Sequence, residues 1–168
     1  YIAGHSDVNL GIAAASGTLG KKLRSTAGAL GICAGPEDLY LGLRGLRTMR
    51  LRLEQSASNG LMLARALTEH PLVVDILHPA LNNSPDHELY KRDFYGSCGL
   101  FGFVLPEKIA QDKLDKAIEG MEIFAIGDSW GGYESLIKQA HLDRKLRQFI
   151  PEHSPGHLIR IYAGIEHG

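Results

Sequence analysis

At 168 residues, 44% hydrophobic and 22% charged, the chain can bury a core and holds one ordinary domain, or one domain plus part of another. Its 18 Lys and Arg against 19 Asp and Glu leave a formal net charge of −1, which argues against nucleic acid or a membrane surface as partner, since both favour a basic excess. No apolar run approaches the roughly 18 residues that cross a bilayer, and Cys33 and Cys98 match no metal or redox spacing, so buried free thiols in a reducing compartment are expected.

The opening, Tyr1-Ile2-Ala3-Gly4-His5-Ser6-Asp7, leads an aromatic and a branched residue into a glycine that lets backbone pass close to a neighbour. His5, Ser6 and Asp7 then gather hydrogen-bonding groups at a turn. The small apolar run over residues 8–15 predicts a buried strand, and residues 17–20 a turn. A loose helical period through Leu23, Ala27 and Leu30 is broken by Gly31 and Gly35. Pro36-Glu37-Asp38 starts a short helix, with Pro at the first position and acids in the first turn.

From about 44 to 69, Leu46, Met49, Leu53, Ala57, Gly60, Ala64 and Leu67 recur at spacings of three and four, the mark of one long amphipathic helix. Arg44, Arg47, Arg50 and Arg52 crowd its first half and suit a phosphate, a solvated face or an intersubunit contact. His70-Pro71 ends it. Beyond it the chain predicts a strand at 72–77, a short helix to Arg92 that Asp86 would cap, and a strand at 100–105. A helix started by Pro106-Glu107 and ended at Gly120 follows, then a strand at 123–126, a glycine-broken turn at 129–135 and a last strand at 158–161. The polar stretch 138–149 has no predicted state. This order suggests an α+β unit, a small sheet with helices on one face, while residues 1–46 read as the tail of a different domain.

Two constellations could carry chemistry. Arg160 lies in Leu158-Ile159-Arg160-Ile161-Tyr162, a permanent charge among apolar strand residues, and a buried guanidinium without a partner costs several kcal/mol. Its planar fork suits a carboxylate, supplied either by an internal Asp or Glu or by a substrate. The second is Gly127-Asp128-Ser129-Trp130-Gly131-Gly132-Tyr133-Glu134-Ser135, where paired glycines allow close approach to a ligand, Trp130 gives a rigid surface and Ser129 a hydroxyl; a glycine-rich hairpin around a core Trp is the bland alternative. His153 and His157 have metal-like spacing, but the Pro-Gly between them and the lack of a third ligand argue against zinc. His5, Ser6 and Asp7 are adjacent and cannot form a relay, and neither Gly-x-Gly-x-x-Gly after a strand nor a Walker loop is present.

The sequence resembles the Cys/Met-metabolism family of pyridoxal-phosphate enzymes over nearly its whole length. The family carries an aromatic, an aliphatic, any residue and Gly-His-Ser directly after its cofactor-binding lysine, which matches Tyr1 to Ser6 and implies a chain that opens one residue past that lysine. Further matches are Arg44-Gly45-Leu46-Arg47-Thr48, His78-Pro79-Ala80-Leu81, Lys91-Arg92-Asp93-Phe94, Gly96-Ser97-Cys98-Gly99-Leu100-Phe101, Ser129-Trp130-Gly131-Gly132-Tyr133-Glu134-Ser135, and Leu158-Ile159-Arg160 followed by Gly164 and Glu166. The Lys-Arg-Asp-Phe and Ser-Trp-Gly-Gly segments resemble its carbon–sulfur β-lyase branch. One residue earlier the chain departs: Asp128 stands where β-lyases carry Tyr and γ-acting members Glu.

The resemblance implies an α/β fold, the C-terminal part of a PLP-dependent transferase-like (aspartate aminotransferase-type) fold. Residues 1–46 would end the large cofactor domain, and 47–168 would form the small domain with a mostly antiparallel sheet. It implies pyridoxal 5'-phosphate as cofactor, no metal, and a small-molecule amino-acid substrate held by Ser129, Trp130, Arg160 and Asp128, with no catalytic residue in this chain because the lysine precedes Tyr1. The implied activity is β-elimination on cystathionine to homocysteine, pyruvate and ammonia, in a cytoplasmic homotetramer. A γ-acting relative and a non-catalytic assembly fragment are the alternatives.

Overall fold

The computed structural model describes residues 1–140 and 156–166. Three helices come first: α1 over Gly17–Ala29, α2 over Pro36–Leu46 and α3 over Met49–Thr68. Then follow β1 (Asp75–Leu77), α4 (His87–Asp93), β2 (Leu100–Leu105), α5 (Gln111–Glu119), β3 (Ala125–Ile126), β4 (Leu136–Gln139) and β5 (His157–Tyr162). The strands form one sheet in the order β1-β2-β5-β4-β3, antiparallel except for the β3–β4 pair. The expected small, mostly antiparallel sheet is therefore present.

Register explains why one sheet face is core. Phe101 pairs with Ile161, which pairs with Ile137, and Phe103 pairs with Ile159, so these five side chains share a face. They cluster with Ala64 of α3 and with Leu114 and Ile118 of α5, each large aliphatic or aromatic side chain contributing about 1.5–3 kcal/mol on full burial. α3 approaches the sheet closely only because Gly60 faces Gly99, where a Cβ on Gly60 would stand 2.9 Å from the Gly99 Cα. The opposite face carries Gly102, Arg160 and Lys138 in register, and Tyr162 beyond them.

Several expectations are corrected. Residues 8–15 are irregular and mostly exposed rather than a buried strand. Alanines bury little area, and no described strand lies alongside to take their backbone hydrogen bonds. Residues 17–20 are the first turn of α1, not a separate turn. The single helix of 44–69 is two, broken at Arg47 and Thr48, where Arg52 takes the Gly45 carbonyl at 2.7 Å and the Thr48 hydroxyl at 3.2 Å. Asp86 makes no side-chain cap.

Pro106 begins a turn (Ile109 N–H to the Pro106 carbonyl, 3.1 Å) and α5 starts later, because the Ile109 carbonyl is held by His157 Nε2 at 2.8 Å. β4, which follows the predicted turn and is not itself expected as a strand, is a full strand between β3 and β5. Cys33 is exposed and Cys98 half-buried, so neither is the buried thiol expected. No helix among the described residues is long and apolar enough to cross a membrane.

Candidate active site

The opening segment is locked down by one buried cation. Arg52, 9% exposed, donates to the carbonyls of Tyr1 at 2.8 Å and Ile2 at 3.0 Å as well as to Gly45. Backbone dipoles, not anions, satisfy it. Gly4, at φ 75°, lies against that guanidinium, and any side chain there would overlap it. So the close approach read from Gly4 is to Arg52, and of the four arginines Arg52 lies on neither a solvated nor a phosphate-binding face. Arg50, by contrast, is exposed and pairs with Glu54 at 2.7 Å.

Against this segment stands the 127–135 loop. It joins two neighbouring parallel strands without a helix, which is feasible because β3 has only two residues and the return path is short. Gly131, at φ 84°, makes the reversal. The Tyr1 and Trp130 rings meet at 5.5 Å, and Ser6, itself at φ 56°, offers its hydroxyl to Glu134 at 3.5 Å. Between the two walls lies a cleft of about 410 Å³ lined by Tyr1 to Gly4, Ser6, Val8 to Leu10 and Ser129 to Gly132. Trp130 is 50% exposed on its rim and is no core tryptophan.

β5 holds the loop from behind. Arg160 Nη2 donates to the Gly127 carbonyl at 2.8 Å and, more weakly, to that of Ser129 at 3.4 Å. Two residues on, and so on the same face, Tyr162 donates its hydroxyl to the Gly132 carbonyl at 2.9 Å. Arg160 meets no carboxylate among the described residues, and its enclosed Nε–H has no acceptor there. The internal Asp or Glu partner left open by the sequence is thus not found among them. Asp128 instead pairs with Lys138, which stands directly across from Arg160 in the sheet. The Lys138 hydrogen bond, then its charge, holds the Asp128 carboxyl below the usual range, with a smaller pull from Arg160.

The structure thus brings Ser129 and Trp130 into one cleft with the opening segment and puts Arg160 and Asp128 at its loop. Sequence reading missed Lys138 and Tyr162. Alternation along β5 from Arg160 would have flagged Tyr162, whereas the Lys138–Asp128 pair depends on a strand pairing that the sequence does not display. It also missed the reason for the loop's terminal Ser135, whose N–H and hydroxyl both donate to Glu166, at 2.7 and 2.8 Å. His157 is spoken for: Nε2 donates to Ile109, which leaves Nδ1 to accept from Gln139 at 3.2 Å. His153, the other half of that pair, lies outside the described residues.

The chain is 43% identical over 99% of its length to a putative cystathionine beta-lyase of Rhizobium johnstonii, and 39% identical, again over 99%, to the cystathionine beta-lyase of Escherichia coli. It spans 42% of the length of each of these relatives. A crystal structure of cystathionine gamma synthase from Xanthomonas oryzae pv. oryzae, in complex with aminoacrylate and cysteine, superposes with a TM-score of 0.82 at 31% identity, covering 99% of this chain and 44% of that one. The family described as Cys/Met metabolism PLP-dependent enzyme matches residues 1–168, and the chain belongs to it.

Proposed function

We propose that the whole protein is a pyridoxal-phosphate-dependent carbon–sulfur β-lyase acting on cystathionine, and that this chain contributes the substrate side of its site. The observation that carries the reading is Arg160, a guanidinium whose enclosed Nε–H has no acceptor among the described residues, at the back of a loop that lines the cleft. The cleft fits that division of labour. Its lining holds the hydroxyls of Ser6 and Ser129 and the rings of Tyr1 and Trp130 but no carboxylate to meet a pyridine nitrogen, so the groups that grip the cofactor ring are not among the residues lining it.

The cofactor supplies an electron sink for the charge that develops at the substrate Cα. Everything this chain does is orientation. Arg160 binds the substrate carboxylate through its planar fork, with the Ser129 hydroxyl beside it, and that clamp sets the Cα–H bond in the direction in which it breaks most readily. Trp130, its ring 5.5 Å from that of Tyr1, gives the substrate an apolar surface at the cleft rim. Asp128 is the group available to a distal amino group. Residues 1–46 belong in this reading to the cofactor domain and 47–168 to the small domain, in a cytoplasmic homotetramer.

A γ-acting relative is the second reading, favoured by acidic Asp128 and by the likeness to the gamma synthase structure. The assay that separates them feeds cystathionine to the whole protein. Pyruvate with homocysteine is expected, and 2-oxobutyrate with cysteine would overturn the β-lyase reading. Arg160→Lys should lower kcat/KM on the order of 30-fold, about 2 kcal/mol, through loss of the bidentate clamp. Unchanged kinetics beside a lowered Tm would make Arg160 structural.

A further inference from the structure

We propose that Lys138 is a positioning residue that keeps Arg160 open for the substrate carboxylate by holding Asp128 away from it. The inference rests on the reading of Arg160 given above and concerns what keeps that guanidinium from satisfying itself.

Arg160 grips the main chain on both sides of Asp128, at the Gly127 and Ser129 carbonyls, so the Asp128 backbone is carried beside the guanidinium. A carboxylate in that position, on an exposed loop, has an obvious competitor for its charge in Arg160 itself. It does not take it. Asp128 Oδ1 pairs with Lys138 Nζ, the aspartate side chain being 83% exposed and the lysine 32%. Lys138 and Arg160 are Cα partners on adjacent antiparallel strands and present their side chains on the same face.

Two like charges directly opposite one another in a sheet repel, and one anion between them can relieve only one pairing at a time. The geometry awards that anion to Lys138. Arg160 keeps its hydrogen bonds to neutral carbonyls and an Nε–H without an acceptor among the described residues. Gly102, the Cα partner of Arg160 on its other side, brings no side chain that could substitute for Asp128. Among the described residues, Lys138 and Asp128 are therefore the two charged groups beside Arg160 that decide its state.

With Lys138 removed, Arg160 is the cation left beside Asp128 among the described residues. It turns to Arg160, and the substrate carboxylate must displace it. The binding site then carries an internal competitor, which acts on affinity and leaves the chemical step alone.

The test uses the whole protein loaded with its cofactor and S-methyl-L-cysteine, an amino acid with no second charged group that could meet Asp128 itself. Its Ki as a competitor of cystathionine is measured for wild type, Lys138→Met, Asp128→Asn, the double variant and Arg160→Lys. Lys138→Met should raise Ki about threefold to fivefold, the upper end for one exposed carboxylate–guanidinium pair. Adding Asp128→Asn should bring it back to within about twofold of Asp128→Asn alone, because an amide cannot replace the lost ion pair.

An unchanged Ki in Lys138→Met overturns the proposal, and so does a raised Ki that Asp128→Asn does not relieve, since that is the pattern of simple structural damage. If Arg160→Lys also leaves Ki unchanged, it is the carboxylate reading of Arg160 that has failed, and the two failures are told apart by that one variant.

Discussion

At the scale of single residues, the enclosed polar atoms divide by what satisfies them. Arg52 is met entirely by neutral acceptors and fixes the opening segment, whereas Arg160 is met only in part. The sequence displayed the need in the second case, since a charge inside an apolar strand must find a partner; it could not display that the carboxylate nearest in sequence to its loop is engaged by Lys138. His78 is a third case. It is 2% exposed against Phe101, and its Nδ1 accepts the Ala80 N–H at 3.2 Å, so Nε2 carries the ring proton and has no acceptor among the described residues. Burial lowers its pKa, so the unfolded chain takes up the proton first as pH falls. Stability from this group is complete above the unfolded value of about 6.5 and is lost as pH falls below it toward the folded value, with a slope of at most about 1.4 kcal/mol per pH unit. Urea unfolding at pH 7.5 and 5.5 should show this loss in the wild type and a smaller one in His78→Asn.

At the scale of elements, the sheet's closure at one end depends on a side chain that spans two of its strands. Glu166, just past β5, takes both donors of Ser135, just before β4, and Ser135 Oγ in turn accepts the Gly164 N–H at 2.9 Å. Glu166→Gln keeps the shape but removes the charge from two short hydrogen bonds, and should cost about 1.5–3 kcal/mol in chemical denaturation. Elements with a strong local signature were readable in advance. β2 and β5 are apolar runs bounded by breakers, and α2 announces itself through Pro36 and its acids. Elements that exist through partners were not. β4 is a strand because β5 and β3 flank it, the kink at Thr48 exists because Arg52 occupies the corner, and residues 8–15 have the composition of a strand without a neighbour to make them one. The same division holds at the cleft: Ser129, Trp130 and Arg160 were legible one by one, their arrangement around the opening segment only as a resemblance.

At the scale of the whole molecule, the cleft is built from chain segments far apart, as the separation of 128 positions from Ser6 to Glu134 makes plain. Neither wall exists as a wall until the chain between them has folded, so a molecule bound there is bound by the native state alone. Stripping the cofactor from the whole protein should therefore lower Tm, and adding pyridoxal phosphate back at 100 times its Kd should restore about 2.7 kcal/mol. A Tm independent of cofactor would mean that the native state holds it no better than the unfolded chain does. The 127–135 loop has one more property with a longer reach. Arg160 and Tyr162 hold it by the carbonyls of Gly127, Ser129 and Gly132, groups that every amino acid possesses. The mooring is blind to what the loop displays at 128 and 130. Substitutions there change what the loop presents while its backbone stays in place, so the display and the scaffold can vary independently of one another.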